Sequence, residues 1–133
     1  MKTEILQGTE KRLYDIVGPL AMTQAVLRQN DNVAFKTSER HTYFIALDDD
    51  DACTGFISVQ KKGNIGEINN YYIKDRDTDV MKALLKLAEK HAKKEELGAL
   101  TIITQSKDYA VVEKLKYSPE KTFVKYTRFS KKL

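Results

Sequence analysis

The feature that most constrains the fold is a helical pattern of apolar residues between positions 79 and 96. These residues recur three, four and seven positions apart, so that they fall on one face of a helix. They are Val80, Met81, Leu84, Leu85, Leu87, Ala88 and Ala92, and His91 falls on the same face. Stretches typical of strands flank the pattern, at residues 65–74 and 99–104. Because strand–helix–strand connections are parallel and right-handed in nearly all proteins, the sequence predicts a crossover unit here.

The rest of the chain predicts a sheet that continues on both sides of this unit. Further strands are predicted at residues 3–7, 41–47, 52–60 and 122–129, and further helices at 9–17, 22–29 and 108–115. The acidic run at 48–51 and the turn at 62–64 join three consecutive strands as an antiparallel meander. The predicted order is β-α-α-β-β-β-α-β-α-β, which is an α/β (α+β) fold with one mixed sheet flanked by helices.

Composition narrows the class of protein. The chain has 133 residues, and residues 1–133 are expected to form a single domain. Its single cysteine, Cys53, excludes an internal disulfide framework, and no metal site is expected.

The N-terminal residues are too charged for a signal peptide, and no apolar run reaches the ~20 residues of a membrane span. We therefore expect a cytoplasmic protein without a membrane partner. The net charge of +4 permits an acidic partner, such as a nucleic acid or a phosphorylated cofactor, without requiring one.

Three short stretches resemble motifs of the GNAT acyl-CoA N-acyltransferases. The apolar-Gly-apolar step of the family's third strand appears as Thr54-Gly55-Phe56-Ile57. The fourth-strand motif Glu-Ile-x-x-Leu-Tyr-Val appears as Glu67-Ile68-Asn69-Asn70-Tyr71-Tyr72-Ile73. The helix motif Tyr-Glu-Lys-Leu-Gly-Phe appears as Val112-Glu113-Lys114-Leu115-Lys116-Tyr117. The resemblance implies a GNAT-like mixed sheet. Because the chain after Tyr117 is short for the family's last two strands, the C-terminal strands are expected to be reduced.

The resemblance also implies an activity, which is the transfer of an acyl group from acetyl-CoA or another acyl-CoA to an amine of a small molecule or a protein. Glu67 corresponds to the family's general base, and by strand alternation Asn69 and Tyr71 are expected on its face. The tyrosine that acts as general acid in the family corresponds to Val112 here. Tyr109, one helical turn earlier, is therefore the candidate general acid. Plainer roles also fit these residues: Glu67 paired with a lysine, and Tyr109 packed on the sheet.

The family holds the diphosphate of its cofactor with the motif Arg/Gln-x-x-Gly-x-Gly/Ala, where glycines and free helix-start amides cradle the anion. Aligned on the leucine pair of the long helix, Arg76 takes the arginine position, and Asp79 and Met81 take the glycine positions. The resemblance assigns cofactor binding to Tyr72, Ile73, Lys74, Arg76, Asp79, Val80, Met81 and Gln105. Asp75, Asp77 and Asp79 would lie beside the diphosphate. A carboxylate ~4 Å from a phosphate charge costs roughly 4 kcal/mol at an effective dielectric near 20, so impaired acetyl-CoA binding is expected.

Other interpretations stay open. Thr78 or Asp79 is expected to cap the long helix and so to occupy amides that a phosphate needs. A non-catalytic GNAT-fold module that binds a protein or a nucleic acid is the main alternative. A third interpretation is nucleic-acid binding by the lysine face of the long helix, which comprises Lys82, Lys86, Lys90 and Lys93. A homodimer through the C-terminal strand is also predicted, because a partner could supply the strand that the short C-terminus lacks.

Overall fold

The computed structural model describes residues 1–21, 23–30 and 37–133, and in this part of the chain one seven-stranded sheet is formed. The strands are β1 (Lys2–Gln7), β2 (His41–Leu47), β3 (Cys53–Lys62), β4 (Ile65–Ile73), β5 (Ala99–Gln105), β6 (Ser118–Thr122) and β7 (Tyr126–Lys132). The helices are α1 (Lys11–Ala21), α2 (Gln24–Gln29), α3 (Thr78–Lys94) and α4 (Tyr109–Lys114). The strand order is β1-β2-β3-β4-β5-β7-β6. No helix among the described residues has the length and apolar character needed to span a membrane.

The predicted crossover unit is present at the centre of the sheet. Strands β1 to β4 form an antiparallel meander, β4 and β5 are parallel neighbours, and α3 connects them. The predicted apolar stripe of α3 is its buried face, where Leu84 and Leu85 have no exposed surface. Burial of this face supplies most of the stability of such a helix, because in proteins the packing of an amphipathic face contributes more than intrinsic helix propensity. The predicted fold class is therefore confirmed.

Alternation along the strands divides the hydrophobic residues between two cores, one on each face of the sheet. On one face, α3 and α4 cover a core that includes Phe44, Ile57 and Ile68. On the other face, α1 and α2 cover a smaller core that includes Tyr43 and Phe56. Adjacent residues of one strand thus belong to different cores, which fixes the register of each strand because a one-residue slip would exchange the two faces.

Strand β4 contains a bulge that reverses this alternation. Ser58 pairs with Asn70 but the next residue of β3, Val59, pairs with Ile68, so that Asn69 is the additional residue of β4. As a result Ile68 and Tyr71 both belong to the core under α3. Glu67 precedes Ile68 on the pleat and faces the α1–α2 side. The prediction that Glu67 and Tyr71 share a face was wrong, because simple alternation does not allow for the bulge.

The C-terminal end differs in detail from the sequence prediction. The chain supplies two strands after α4, not one, and they pair with each other as an antiparallel hairpin. The first, β6, is exposed along its whole length and contains Pro119, so its sequence lacks the alternation of a half-buried strand. Its pairing relies on main-chain hydrogen bonds to β7. Proline and charged residues on an edge strand discourage further pairing with other chains.

Candidate functional site

Strands β4 and β5 separate in the middle of the sheet. Their parallel ladder runs from Ile65 paired with Ala99 to Ile68 paired with Ile102, whereas β4 stays paired with β3 as far as Ile73. In the part of the chain that the structure describes, the second half of β4 therefore has no neighbouring strand on the β5 side. Its main-chain N–H and C=O groups need other partners there, because unpaired buried groups of this kind are costly.

Two consecutive side chains at the end of α2 supply these partners. Gln29 Nε2 donates to the Ile73 carbonyl at 2.8 Å, and the Ile73 N–H donates back to Gln29 Oε1 at 3.0 Å. Asn30 Nδ2 donates to the Tyr71 carbonyl at 2.9 Å, and the Tyr71 N–H donates to Asn30 Oδ1 at 3.2 Å. Each carboxamide thus binds one residue of β4 through both a donor and an acceptor. Together they replace a neighbouring strand.

Local structure explains how α2 presents these amides. Thr23 caps the helix by accepting a hydrogen bond from the Val26 N–H, and Val26 is buried in the core on this face. Asn30 ends the helix, and its Nδ2 also donates to the Val26 carbonyl at 2.9 Å. Alternate residues of a strand lie about 7 Å apart, so one carboxamide cannot reach both Tyr71 and Ile73. Two adjacent side chains of different length can.

The space that remains between the strands is a small cavity of about 220 Å³. Amide and hydroxyl side chains predominate in its lining, which comprises Gln29, Asn30, Asn69, Asn70, Ile103, Thr104, Gln105 and Tyr126. Tyr126 alternates with the buried Thr127 on β7 and so lies on the α1–α2 side of the sheet. The cavity is therefore on the same face as Glu67, although Glu67 does not line it.

The connection from β4 to α3 is a tight turn at Lys74–Arg76. Asp75 and Arg76 both have left-handed backbones, with φ of 55° and 50°. This conformation is uncommon for residues other than glycine, and it turns the Arg76 side chain back towards β5. The Arg76 guanidinium donates to Asp108 Oδ2 and to Gln105 Oε1, each at 2.8 Å. Arg76, expected to contact a diphosphate, is thus held by a carboxylate of the chain itself.

A hydrogen-bond network, buried at Tyr71 and Asp108, extends from this arginine. The Tyr71 hydroxyl donates to Asp108 Oδ2 at 2.6 Å, so the Asp108 carboxylate joins β4 to Arg76. Burial, and then the nearby Asp108 charge, raise the pKa of Tyr71 well above its ordinary value, so the hydroxyl keeps its proton. Gln105 Nε2 donates to the Arg28 carbonyl at 2.9 Å. The network therefore connects α2, β4 and the end of β5 across the opening between the strands.

The first turn of α3 is capped by Asp77. Its Oδ1 accepts from the Asp79 N–H at 3.0 Å and from the Val80 N–H at 3.3 Å. The predicted caps, Thr78 and Asp79, were wrong by one or two residues, because the helix already begins at Thr78. Met81, at the second glycine position of the motif, is buried in the core under α3.

A second cavity, of about 350 Å³, lies beside this helix start. Its lining comprises Met1, Leu47, Asp48, Asp49, Thr54, Lys74, Asp75, Asp77 and Val80. Carboxylates outnumber cations in this set, so the potential is unfavourable for an anion. Lys74 is its only side-chain cation among the described residues. The chemistry of this end therefore does not fit a diphosphate.

The two predicted catalytic residues lie on opposite faces of the sheet. Glu67 Oε2 is 2.7 Å from Lys62 Nζ, and its side chain is largely buried on the α1–α2 side. The Tyr109 ring packs edge-on against Phe129 in the core under α4, and its hydroxyl shares a 2.7 Å hydrogen bond with Thr127 Oγ1. The structure does not bring Glu67 and Tyr109 together, and both adopt the plainer roles that the sequence also allowed.

The predicted cofactor residues are partly brought together. Arg76 contacts Gln105, and the main chain of Ile73 lies at the strand opening, whereas Tyr72 packs against Phe56 in the smaller core. Burial, with a smaller contribution from Asp75, raises the pKa of Tyr72. Sequence reasoning missed Gln29, Asn30 and Asp108. The adjacent amides at the end of a predicted helix were the available signal, but their partners lie more than forty residues away.

The meander, the parallel β4–β5 pair that opens halfway, and the crossover helix together define the GNAT acetyltransferase fold. Comparison with solved structures supports this fold over the full length of the chain. Tetrahymena GCN5 matches with a TM-score of 0.79 and 12% identity, covering 99% of this chain and 96% of that chain. A Bacillus subtilis acetyltransferase in complex with CoA matches with a TM-score of 0.67 and 17% identity, covering 99% and 98%. PaiA N-acetyltransferase from Thermoplasma acidophilum, in complex with coenzyme A, matches with a TM-score of 0.67 and 16% identity, covering 100% of both chains.

Sequence comparison gives no such match. No protein-family profile and no curated protein sequence matches the chain. At identities this low the likeness establishes the fold alone, and the resemblance inferred from the sequence motifs is confirmed at that level.

Proposed function

We propose that the chain is a GNAT-type N-acyltransferase that uses an acyl-CoA and an amine acceptor, a small molecule or a protein. The observation that carries the proposal is the second half of β4, whose main chain faces the strand opening and binds carboxamides there. The pantetheine arm of CoA carries amide groups of the same chemistry. The groups of Tyr71 and Ile73 that bind Gln29 and Asn30 are therefore suited to hold that arm.

In this proposal different residues of β4 bind the donor and remove the proton of the acceptor. The main chain of Tyr71 and Ile73 binds and orients the donor, and Glu67, on the same strand, takes the proton from the acceptor amine, directly or through a water molecule. The Lys62 ammonium pairs with Glu67 and would have to give way for this role. When bound, the acyl-CoA would supply an acyl group activated as a thioester. Tyr109 lies on the opposite face of the sheet, where its hydroxyl is bonded to Thr127, so its position does not favour it as the acid.

The fit to acyl-CoA differs between the two ends of the site. The amide-binding edge of β4 fits the pantetheine arm. The helix start does not fit the diphosphate in the family's manner, because Asp77 accepts the Asp79 and Val80 amides and acidic residues surround Lys74. We therefore propose that the donor binds mainly through its pantetheine arm, and that affinity for acetyl-CoA is low.

The test is a thermal-shift titration of the wild-type protein and the Asp77→Asn variant with acetyl-CoA, CoA and pantetheine. A ligand at 100 times its Kd adds about 2.7 kcal/mol to the free energy of unfolding. We expect both proteins to be stabilised at millimolar ligand. Asp77→Asn keeps a side-chain oxygen for the cap but removes a negative charge, so its affinity for CoA should rise about tenfold or more with no change for pantetheine. Absence of any shift in both proteins would contradict the proposal.

The second candidate is the non-catalytic GNAT-fold module that binds a protein or a nucleic acid. The observation that favours it is that the chain's own side chains already satisfy both the β4 edge and the helix start. Failure of every CoA-related ligand to bind, together with retention of a partner or of RNA in salt-dependent binding assays, would select this candidate. The homodimer through the C-terminal strand stays a prediction, tested by molar mass in solution. The Pro119-containing edge strand does not favour it.

A further inference from the structure

We propose that Gln29 and Asn30 form an internal latch, which competes with the donor for the main chain of β4 and must open before the donor binds. This inference rests on the proposed function, since it concerns the same binding edge. The latch is defined here as these two side chains with their hydrogen bonds to Tyr71 and Ile73. It is an autoinhibitory contact, because the groups that it occupies are those assigned to ligand binding.

The latch matches its site chemically. Each carboxamide presents one donor and one acceptor to one β4 residue, with donor–acceptor distances from 2.8 to 3.2 Å. The amides of a pantetheine arm, or of a peptide, also offer N–H donors and C=O acceptors. In such a secondary amide the two groups point in opposite directions, so neighbouring amides would together supply the donor and acceptor that one carboxamide supplies. A ligand and the latch therefore cannot use the same groups of Tyr71 and Ile73 at the same time, and binding requires exchange of one set of hydrogen bonds for another.

Further contacts hold the latch closed. The Arg28 carbonyl, next to Gln29 in the chain, accepts a hydrogen bond from Gln105 on the far side of the opening. Gln105 in turn accepts from Arg76, which is paired with Asp108. The opening is thus crossed at two places, by the hydrogen bond from Gln105 to the Arg28 carbonyl and by the Arg76 side chain. Gln105 takes part in both, and the first crossing holds in place the end of α2 that carries the latch.

The same region has features that permit opening. Helix α2 has only six residues, and Val26 is its only fully buried residue. A helix this short has little stability of its own, and a segment with few buried contacts opens at low free-energy cost. Gln29 and Asn30 are each half-buried, in contrast to the fully buried core of β4. The contact is therefore held by hydrogen bonds that a ligand can replace, and little apolar surface needs to be exposed.

The experiment compares wild-type protein, the double variant Gln29→Ala/Asn30→Ala and the control Gln24→Ala by isothermal titration with CoA and with pantetheine. Gln24 is an exposed glutamine of the same helix, and its side chain contacts Arg28 rather than β4. Apparent affinity equals intrinsic affinity multiplied by the open fraction, so removal of the latch should tighten binding. We expect the double variant to bind both ligands about 30-fold or more tightly than wild type, and Gln24→Ala to match wild type.

A second measurement does not depend on CoA. In the free wild-type protein, the side-chain amide protons of Gln29 and Asn30 should exchange with solvent more slowly than those of Gln24 in an NMR experiment. Equal exchange rates would overturn the latch whatever the ligand does. The size-conserving variant Gln29→Glu covers the case in which the double variant does not fold. Its carboxylate cannot donate to the Ile73 carbonyl, so it should bind pantetheine, which is uncharged, more tightly than wild type.

The outcomes separate the two proposals. Measurable and equal affinity of wild type and double variant for CoA would overturn the latch and leave the proposed function intact. No binding of CoA or pantetheine to a folded double variant or to folded Gln29→Glu would overturn the proposed function, and with it the latch. Tighter binding by the variants, with slow exchange in the wild type, would support both.

Discussion

The two halves of β4 pair their main-chain N–H and C=O groups by different means. In the first half, from Ile65 to Ile68, the main chain is paired on both sides by strands, β3 and β5. In the second half, Tyr71 and Ile73 have β3 on one side and two side-chain amides on the other. Both halves are satisfied in their hydrogen bonds. A strand neighbour is fixed by the fold, whereas a side-chain neighbour can be exchanged for a ligand.

The largest effect is expected in the first half, where packing adds to the strand pairing. Ile68 has no exposed surface and lies in the core under α3, so Ile68→Ala should lower the free energy of unfolding by ~2–5 kcal/mol. Ile65, on the same strand, is 42% exposed, and Ile65→Ala should cost about 0.5 kcal/mol or less. Chemical denaturation measures both. Similar losses in the two variants would mean that β4 is not buried as described.

A smaller effect is expected from the buried network of the second half. Tyr71→Phe removes the hydroxyl that donates to Asp108, and a hydrogen bond to a charged group contributes ~1.5–3 kcal/mol. The variant should therefore be less stable than wild type at neutral pH by about that amount, measured by urea denaturation. An unchanged stability would show that Arg76 alone satisfies Asp108. Tyr109→Phe is a matched control, since its hydroxyl contacts the neutral Thr127 instead.

The same variant changes the response to alkaline pH. The pKa of Tyr71 is raised in the folded state, so above the ordinary tyrosine pKa of about 10 the unfolded chain loses a proton that the folded chain keeps. Stability is full below that pH and falls as pH rises beyond it. Tyr71→Phe should reduce this fall. A fall that remains is expected from Tyr117, whose pKa is also raised by burial and by Glu89.

The smallest effect on overall stability is expected from removal of the latch, and this effect should be confined to the second half of β4. In Gln29→Ala/Asn30→Ala, the main-chain amides of Tyr71 and Ile73 lose their partners, so their hydrogen exchange should accelerate about tenfold. Amides in the first half of β4, such as that of Ile68, should keep the wild-type rate. Exchange that accelerates equally in both halves would show that the double variant loosens the whole sheet, and the contrast between the halves would not hold.

Much of the fold was predictable because it depends on local pattern. The stripe of α3 and the flanking strands predicted the crossover unit, and the Glu67–Ile73 motif predicted the GNAT resemblance that the solved structures confirm as a fold. The site was predictable in part. The acidic character of residues 75–79 was visible in the sequence, and the structure adds that Asp77 occupies the helix-start amides.

Two features were not predictable from the sequence, because they depend on strand register and on contacts between residues far apart in the chain. The bulge at Asn69, which separates the faces of Glu67 and Tyr71, follows from pairing with β3 and leaves no local signal. The contact between Gln29 and Ile73 joins residues that are 44 positions apart.

The sequence by itself therefore determined the order of the elements as far as α4 and the face that α3 buries, since hydrophobic periodicity is a property of single segments. The tertiary structure alone decided which groups fill the opening between β4 and β5. Hydrogen bonds between distant side chains and main chain form only once packing has brought their elements together.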